Sequence, residues 1–285
     1  MSRRNGQYEG VDQMRRDFIE VDGVATSYLT AGDAGPVVLM LHGTYWSRVW
    51  QPVLADLAAR GLRPVAVDLP GLGRSSGELT LETGTVPALA AWVERFAGAL
   101  GITGPVKLAG HDIGGGIAQH LLVKGTIEIE QLALVNAVMY DSWPVPAVAR
   151  YRDPAVVAAT SPGDILNARR QAIRKGLLES AASEALVEEY LDPWTDARVT
   201  RSWMALAGAA DGRYTVDLVS ALRASAAPKL LVWGEDDPYQ RVEYAERFAA
   251  EMPNTKLVRI PQAGHIPTEN DAKAVSIALG DFFKA

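Results

Sequence analysis

The chain has 285 residues, 48% of them hydrophobic and 22% charged, with 28 basic against 34 acidic side chains and a formal net charge of −6. That length and composition suit a globular α/β protein that buries a sizeable core around one sheet, and the negative balance argues against nucleic acid or an anionic membrane as a partner. With no cysteine in the sequence, disulfides, cysteine-ligated zinc, iron–sulfur clusters and thiol nucleophiles are excluded.

Residues 1–15 are polar and read as a loose arm. They lack the apolar core of a signal peptide, and no stretch is long enough to cross a bilayer, so a cytoplasmic protein is expected. Two strand-like runs follow, Phe18–Glu20 and Val24–Thr30, split by the hairpin signal Asp22-Gly23. Val37–Leu41 is continuously apolar, as in a strand covered on both faces. Ser47 is placed to cap a helix whose stripe is Val49, Val53, Leu54, Leu57 and Ala58, with Gly61 ending it. The alternation then repeats: strand Pro64–Val67, helix Pro87–Leu100, strand Val106–Ala109, a helix from about Gly114 to Lys124, and strand Leu132–Val135. It resumes with strand Lys229–Trp233, helix Arg241–Met252, strand Lys256–Ile260 and helix Asp271–Phe283. Strands alternating with helices predict a mostly parallel sheet flanked by helices. Residues 138–226 break the pattern with proline-punctuated, helix-rich sequence and read as a helical cap over the carboxyl edge of the sheet. The core is then 1–137 plus 227–285. The seven aromatics of the cap are all Tyr or Trp, whereas the five Phe lie elsewhere. Tyr and Trp suit a pocket wall, although a plain core role fits each of them as well.

The segment Gly110-His111-Asp112-Ile113-Gly114 follows a buried strand and opens a helix. Glycines two before and two after a central residue mark a sharp strand-to-helix elbow that lifts that residue above the sheet edge. Serine is the usual nucleophile there, and here it is Asp112. A helix N-terminus also favours an aspartate electrostatically without any catalysis. Gly71-Leu72-Gly73-Arg74-Ser75-Ser76-Gly77 superficially suggests dinucleotide binding, but its third glycine comes one position late. No P-loop, HExxH or EF-hand pattern occurs, so neither cofactor nor metal is expected.

Taken with four further motifs, the elbow resembles the α/β-hydrolase fold, in its epoxide hydrolase and haloalkane dehalogenase branch. The resemblance runs over about residues 17–285. Leu41-His42-Gly43 is similar to the oxyanion loop, and Asp68-Leu69-Pro70-Gly71-Leu72-Gly73-Arg74-Ser75 to the turn that follows the next strand. Trp233-Gly234-Glu235-Asp236-Asp237-Pro238 is similar to the acid loop, and Gln262-Ala263-Gly264-His265 to the histidine loop. The resemblance implies Asp112 as nucleophile, His265 as base and Asp237, in preference to Asp236, as the acid that orients His265. It also implies the N–H groups of Thr44 and Ile113 as the oxyanion hole. His42 is expected to orient that loop, His111 to pack beside the nucleophile, and His120 to be structural.

A carboxylate displaces a leaving group from activated carbon to form an alkyl ester, which an activated water then hydrolyses. The branch's halide donors, Trp after the nucleophile and Asn after the HG pair, are here Ile113 and Thr44. The arginines of haloacid-processing members are here Ile113 and Gly116. An epoxide hydrolase is therefore expected, with a cap tyrosine donating to the nascent alkoxide. Tyr140, Tyr151, Tyr190 and Tyr214 are available, with Tyr151 and Tyr214 favoured, and Tyr45, Trp46 and Trp143 are alternative donors. The branch's usual proline after the oxyanion loop is replaced by Tyr45. A dehalogenase with other halide donors, or a fold member that binds a ligand without turnover, remain the alternatives. The expected partner is a small-molecule substrate; monomer and homodimer fit equally.

Overall fold

The computed structural model describes residues 14–179 and 181–285. Strands β1 (Arg15–Val21) and β2 (Val24–Thr30) form a hairpin, with Asp22 at φ 53° and Gly23 at φ 78° in the turn. Positive φ at both central residues is the geometry that an Asp-Gly pair tolerates. Strands β3 (Val37–Leu41), β4 (Arg63–Val67), β5 (Val106–Asp112) and β6 (Ile129–Ala137) follow, then β7 (Lys229–Gly234) and β8 (Thr255–Ile260). The sheet order is β1-β2-β4-β3-β5-β6-β7-β8, with the β1–β2 and β2–β4 pairs antiparallel and the other pairs parallel. This is an α/β-hydrolase fold.

Central strands are buried throughout because helices cover both faces. Along β3, Leu39 and Leu41 enter one core while Val38 and Met40 enter the other. Helices α2 (Val86–Ala99) and α3 (Ile113–Lys124) supply the first core, and α1 (Gln51–Ala59) the second.

Between β6 and β7 the described residues form helices and no strand: α4 (Pro146–Ala149), α5 (Pro154–Ala159), α6 (Pro162–Leu177), α7 (Glu184–Leu191), α8 (Ala197–Ala209), α9 (Arg213–Val216) and α10 (Val219–Ala224). The chain ends with α11 (Val242–Glu251), α12 (Pro267–Asn270) and α13 (Ala272–Lys284), on either side of β8. None of the described helices is long and apolar enough to cross a membrane.

Sequence patterning placed most elements but shortened several strands. The first extends from Arg15 to Val21, because edge positions alternate between solvent and core and so lack a continuous apolar signal. Ser47 does not cap a helix: it begins a 3₁₀ turn, Ser47–Trp50, and its backbone N–H donates to Asp68 Oδ1 at 2.7 Å. Asp68 is fully buried and also accepts from Arg74 N–H at 3.1 Å and Arg16 Nη1 at 2.9 Å. Gly73, at φ 54°, has no room for a side chain, since a Cβ would sit 2.5 Å from the Asp68 carboxyl. The glycine-rich turn therefore wraps a carboxylate, the opposite of a phosphate cradle.

Asp68→Ala strands three donors at once and should cost about 2–4 kcal/mol. A denaturant titration that showed no loss of stability would refute this account of the turn.

Candidate active site

Strand β5 ends on Asp112 at φ 53°, ψ −124°, and α3 begins at the very next residue. A non-glycine residue held there costs about 1–3 kcal/mol, so packing must impose it. The imposition is visible at Gly110, where a Cβ would lie 2.5 Å from the Gly114 carbonyl oxygen. The result is a carboxylate 6% exposed, raised above the carboxyl end of the sheet.

The loop after β3 comes to meet it. A Cβ on Gly43 would fall 2.5 Å from Asp112 Oδ2, so only glycine lets the loop approach this closely. Thr44 then donates twice to Oδ2, from its backbone N–H at 3.0 Å and its hydroxyl at 2.9 Å. In the resting site the two donors to the carboxylate thus both belong to Thr44, and Ile113 N–H gives it no hydrogen bond. His42 fixes the loop from behind: its Nδ1 bonds the Gly43 carbonyl at 2.8 Å, and its Nε2 accepts from Leu69 N–H at 3.0 Å. Those two roles specify the neutral Nδ1–H tautomer, and burial lowers the His42 pKa accordingly.

His265, 3% exposed, lies between two acids. Its Nδ1 is 2.8 Å from Asp237 Oδ2, and its Nε2 is 3.9 Å from Asp112 Oδ2. Asp237 is satisfied on every side: Oδ1 accepts from Tyr239 N–H at 2.7 Å and Gln240 N–H at 3.0 Å, and Oδ2 accepts from Asn136 Nδ2 at 2.7 Å. Asp236, by contrast, uses its backbone N–H on the Ala263 carbonyl at 2.9 Å. Burial opposes the imidazolium, but Asp237 and then Asp112 outweigh it and raise the His265 pKa to about 10. Burial likewise opposes the Asp112 anion, yet His265 and the Thr44 N–H hold its pKa well below the ordinary carboxylate range. His111 packs its ring 4.8 Å from that of His265 and bonds the His265 carbonyl through Nε2 at 2.7 Å. Burial and the neighbouring His265 lower its pKa to about 4, so it stays neutral.

The cavity above these groups holds about 210 Å³ and is lined by Thr44, Tyr45, Asp112, Ile113, Trp143, Tyr151, Arg169, Trp203, Tyr239 and His265, among others. Of the aromatic donors expected there, Tyr45 and Tyr151 are present and neither hydroxyl is engaged by a described residue. Trp143 lines the wall, but its indole N–H is committed to Thr215 Oγ1 at 2.7 Å. Trp46 turns away, with Arg16 and Arg74 over its ring at 5.3 and 5.5 Å. Tyr214, on the short helix α9, is not part of the lining; that helix packs against α3 and presents Thr215, not its neighbour, to the interior. Tyr140 donates to Glu251 at 3.1 Å and Tyr190 to Glu269 at 2.8 Å, so both are engaged elsewhere. His120 is half-buried along α3, away from the cavity. Among the described residues no cluster of His, Asp and Glu has the makings of a metal site.

Sequence reading missed Asn136, Arg169, Tyr239 and Gln240, whereas Trp203 is one of the seven cap aromatics that it read as suited to a pocket wall. Asn136 carried a usable signal, a lone amide inside the apolar run Leu132–Val138, where a buried polar group implies a partner. The others carried none.

Residues 38–278 match the family model described as the Alpha/beta hydrolase family. The chain is 29% identical over 255 residues to the dihydrolipoyllysine-residue acetyltransferase component of an acetoin cleaving system from Cupriavidus necator, covering 87% of this chain but only 64% of that one. It is 24% identical over 284 residues to a haloalkane dehalogenase from Mesorhizobium japonicum, covering 94% and 91% of the two chains. An epoxide hydrolase structure from Vigna radiata superposes with a TM-score of 0.76 at 20% identity, over 95% of this chain and 98% of that one.

Replacing Asp112 by Asn removes one of the two charges that raise the His265 pKa. An NMR titration of the His265 ring should therefore place its pKa clearly below about 10 in the variant. Identical values in both proteins would mean that Asp112 does not act on His265. Stability has a matching window. The His265 contribution is complete below its unfolded pKa of ~6.5 and is lost as pH rises towards the folded value. The Asp112 contribution is complete above ~4 and is lost as pH falls. Thermal melts should therefore be highest between about pH 4 and 6.5, so far as these two groups decide it.

Proposed function

The chain belongs to the Alpha/beta hydrolase family, and from that premise we propose an epoxide hydrolase that works through an ester on Asp112 and releases a vicinal diol. The observation that carries the reading is the asymmetry of the Asp112 carboxylate. Oδ2 is held by two donors from Thr44 and lies 3.9 Å from His265 Nε2, while Oδ1 has no hydrogen bond to any described residue, and the carboxylate lines the cavity. An oxygen so left bare is the better nucleophile, because no donor has to be stripped from it before attack.

In the first half-reaction Asp112 Oδ1 forms a bond to an epoxide carbon and the ring C–O bond breaks. The alkoxide accepts a hydrogen bond from Tyr151 or Tyr45 and takes its proton from the His265 imidazolium. Burial raises the Tyr45 pKa, so that hydroxyl keeps its own proton and acts as a donor. Esterification removes the charge of Asp112, and with it part of what held the proton on His265. The imidazole is thereby left as a base at the moment one is needed.

In the second half-reaction neutral His265 takes a proton from water, and the hydroxide adds to the Asp112 carbonyl carbon. The oxyanion on Oδ2 keeps the two Thr44 donors that held the resting carboxylate. Collapse expels the diol oxygen, which takes the proton of the new carboxylic acid. Asp112 is again an anion and His265 again an imidazolium, so the sum is epoxide plus water giving diol.

A second reading, dehalogenation, is favoured by one observation: the Trp203 indole N–H lines the cavity side of α8 and has no acceptor among the described residues. Commitment of the Trp143 indole to Thr215 counts against it, since a leaving halide needs converging donors.

Asp112→Ala should lower turnover roughly 10⁴-fold or more. His265→Ala, in which solvent must supply the proton that the alkoxide takes, should still form the ester, more slowly, and stall there. After exposure to a panel of epoxides and haloalkanes, its intact mass should rise by one whole epoxide, localised to Asp112. A gain of a haloalkane less hydrogen halide would select the second reading instead, and steady turnover by the variant would remove His265 as the base.

A further inference from the structure

We propose that Arg169 makes this cavity a site for anionic substrates, so that the electrophile carries a carboxylate which the Arg169 guanidinium binds while the carbon under attack lies at Asp112. The covalent half of that statement rests on the reading of Asp112 as nucleophile; the anion site rests on observations of its own.

Arg169 projects from α6 and is only 6% exposed. It forms no salt bridge with a described residue. Its one hydrogen bond runs from Nη2 to the Thr44 carbonyl at 3.1 Å, and its buried Nε has no partner. The guanidinium lies among the rings of Trp194, Tyr45 and Trp203, 4.7, 5.1 and 5.5 Å from their centroids. Those faces attract the cation but accept none of the N–H bonds in its plane. A buried guanidinium with most of its donors idle is expensive unless a ligand completes it. Asp112 does not do so: its hydrogen bonds come from Thr44, and none comes from the guanidinium.

The rest of the cavity has the same polarity. Arg150, also without a salt bridge among the described residues, stands over the Tyr151 ring at 5.4 Å and lines the cavity. Arginines elsewhere are commonly paired, as Arg48 is with Glu189 and Glu269 and Arg259 with Glu235 and Glu246. Within a chain of net charge −6, the lining thus sets Arg150, Arg169 and His265 against one carboxylate, Asp112. The unpartnered Trp203 N–H in the same wall offers a further donor.

Thr44 sets the spacing. Its carbonyl faces Arg169 and its N–H faces Asp112, so one residue separates the anion site from the attacking carboxylate. The substrate carboxylate must therefore lie close to the electrophilic carbon, and a cavity of about 210 Å³ admits only a small acid with a compact apolar group. A carboxylate matches the planar donor array of a guanidinium better than a spherical halide does.

Titration calorimetry on the wild-type protein with 3-phenylpropionate, 3-phenylpropionamide and bromide tests the site without turnover. The acid should bind about ten- to a hundred-fold more tightly than the amide. Arg169→Gln should abolish that preference, and Arg169→Lys, which keeps the charge and guards against a misfolded glutamine variant, should retain part of it. Equal binding of acid and amide, or a preference that survives Arg169→Gln, overturns the proposal. Bromide binding with no preference for the acid overturns it in favour of a leaving-group site. Labelling of His265→Ala by 3-phenylglycidate and 3-phenylglycidamide separates the two layers. Arg169-dependent acid binding with no label on Asp112 supports the anion site and overturns the nucleophile reading. Equal labelling by both compounds supports the nucleophile and overturns the anion site.

Discussion

The buried anions of Asp112 and Asp237 face one imidazole between them, and much of the surrounding structure answers that imbalance. A single cation cannot neutralise two carboxylates in a medium that solvates charge poorly, so neutral dipoles must hold the remainder. For Asp237 these are the N–H groups of Tyr239 and Gln240 and the amide of Asn136. For Asp112 they are the N–H and hydroxyl of Thr44. The donors come from three segments at the carboxyl end of the sheet, the loops after β3 and β7 and the end of β6, which explains why those segments are so tightly braced. His42 and Asp68 brace the first, and Asn136 ties β6 to both the acid loop and the histidine loop through Gly234 N–H and the Gly264 carbonyl.

The same loops are bonded upward into the helical insertion. The C-terminal turns of α6 supply carbonyls to the site: Gly176 accepts from His265 N–H at 2.7 Å, Ala172 from the Tyr239 hydroxyl at 3.0 Å, and Leu177 from Asn270 at 2.8 Å. Arg169 adds its bond to Thr44 from the same helix. Helix α6 is thus part of the frame that orients His265, and the buried Arg48, paired to Glu189 and Glu269, clamps α7 to the core beside it. A segment joined by so many buried bonds moves as part of the active region and not as a loosely hinged lid.

Electrostatics gives the region its chemical direction. On the proposed mechanism, an imidazolium stabilised by two carboxylates would lose one of them on esterification of Asp112, so the group that releases a proton in one step would be ready to accept one in the next. Arg169 enters from the opposite wall with its charge unanswered by protein, which leaves the cavity cationic inside an acidic chain.

Local spacing by itself determined a good deal. Alternating apolar runs disclosed the sheet and its helices, and glycines flanking Asp112 disclosed the elbow, because both signals are written within a few consecutive residues. Asp237 and His265 were singled out by resemblance, because the short glycine-marked loop that holds each is similar to a family motif. The cap residues were not. Tyr214 read as well as Tyr151 did, yet only Tyr151 lines the cavity, since helix rotation in the insertion depends on packing that no short motif records. Arg169 is one arginine among the many of the helical insertion and carries no mark of its own. Its place beside Thr44, 125 residues away in the chain, exists only once α6 lies across the sheet edge, because a contact between distant segments is decided by the whole core and not by the residues that make it.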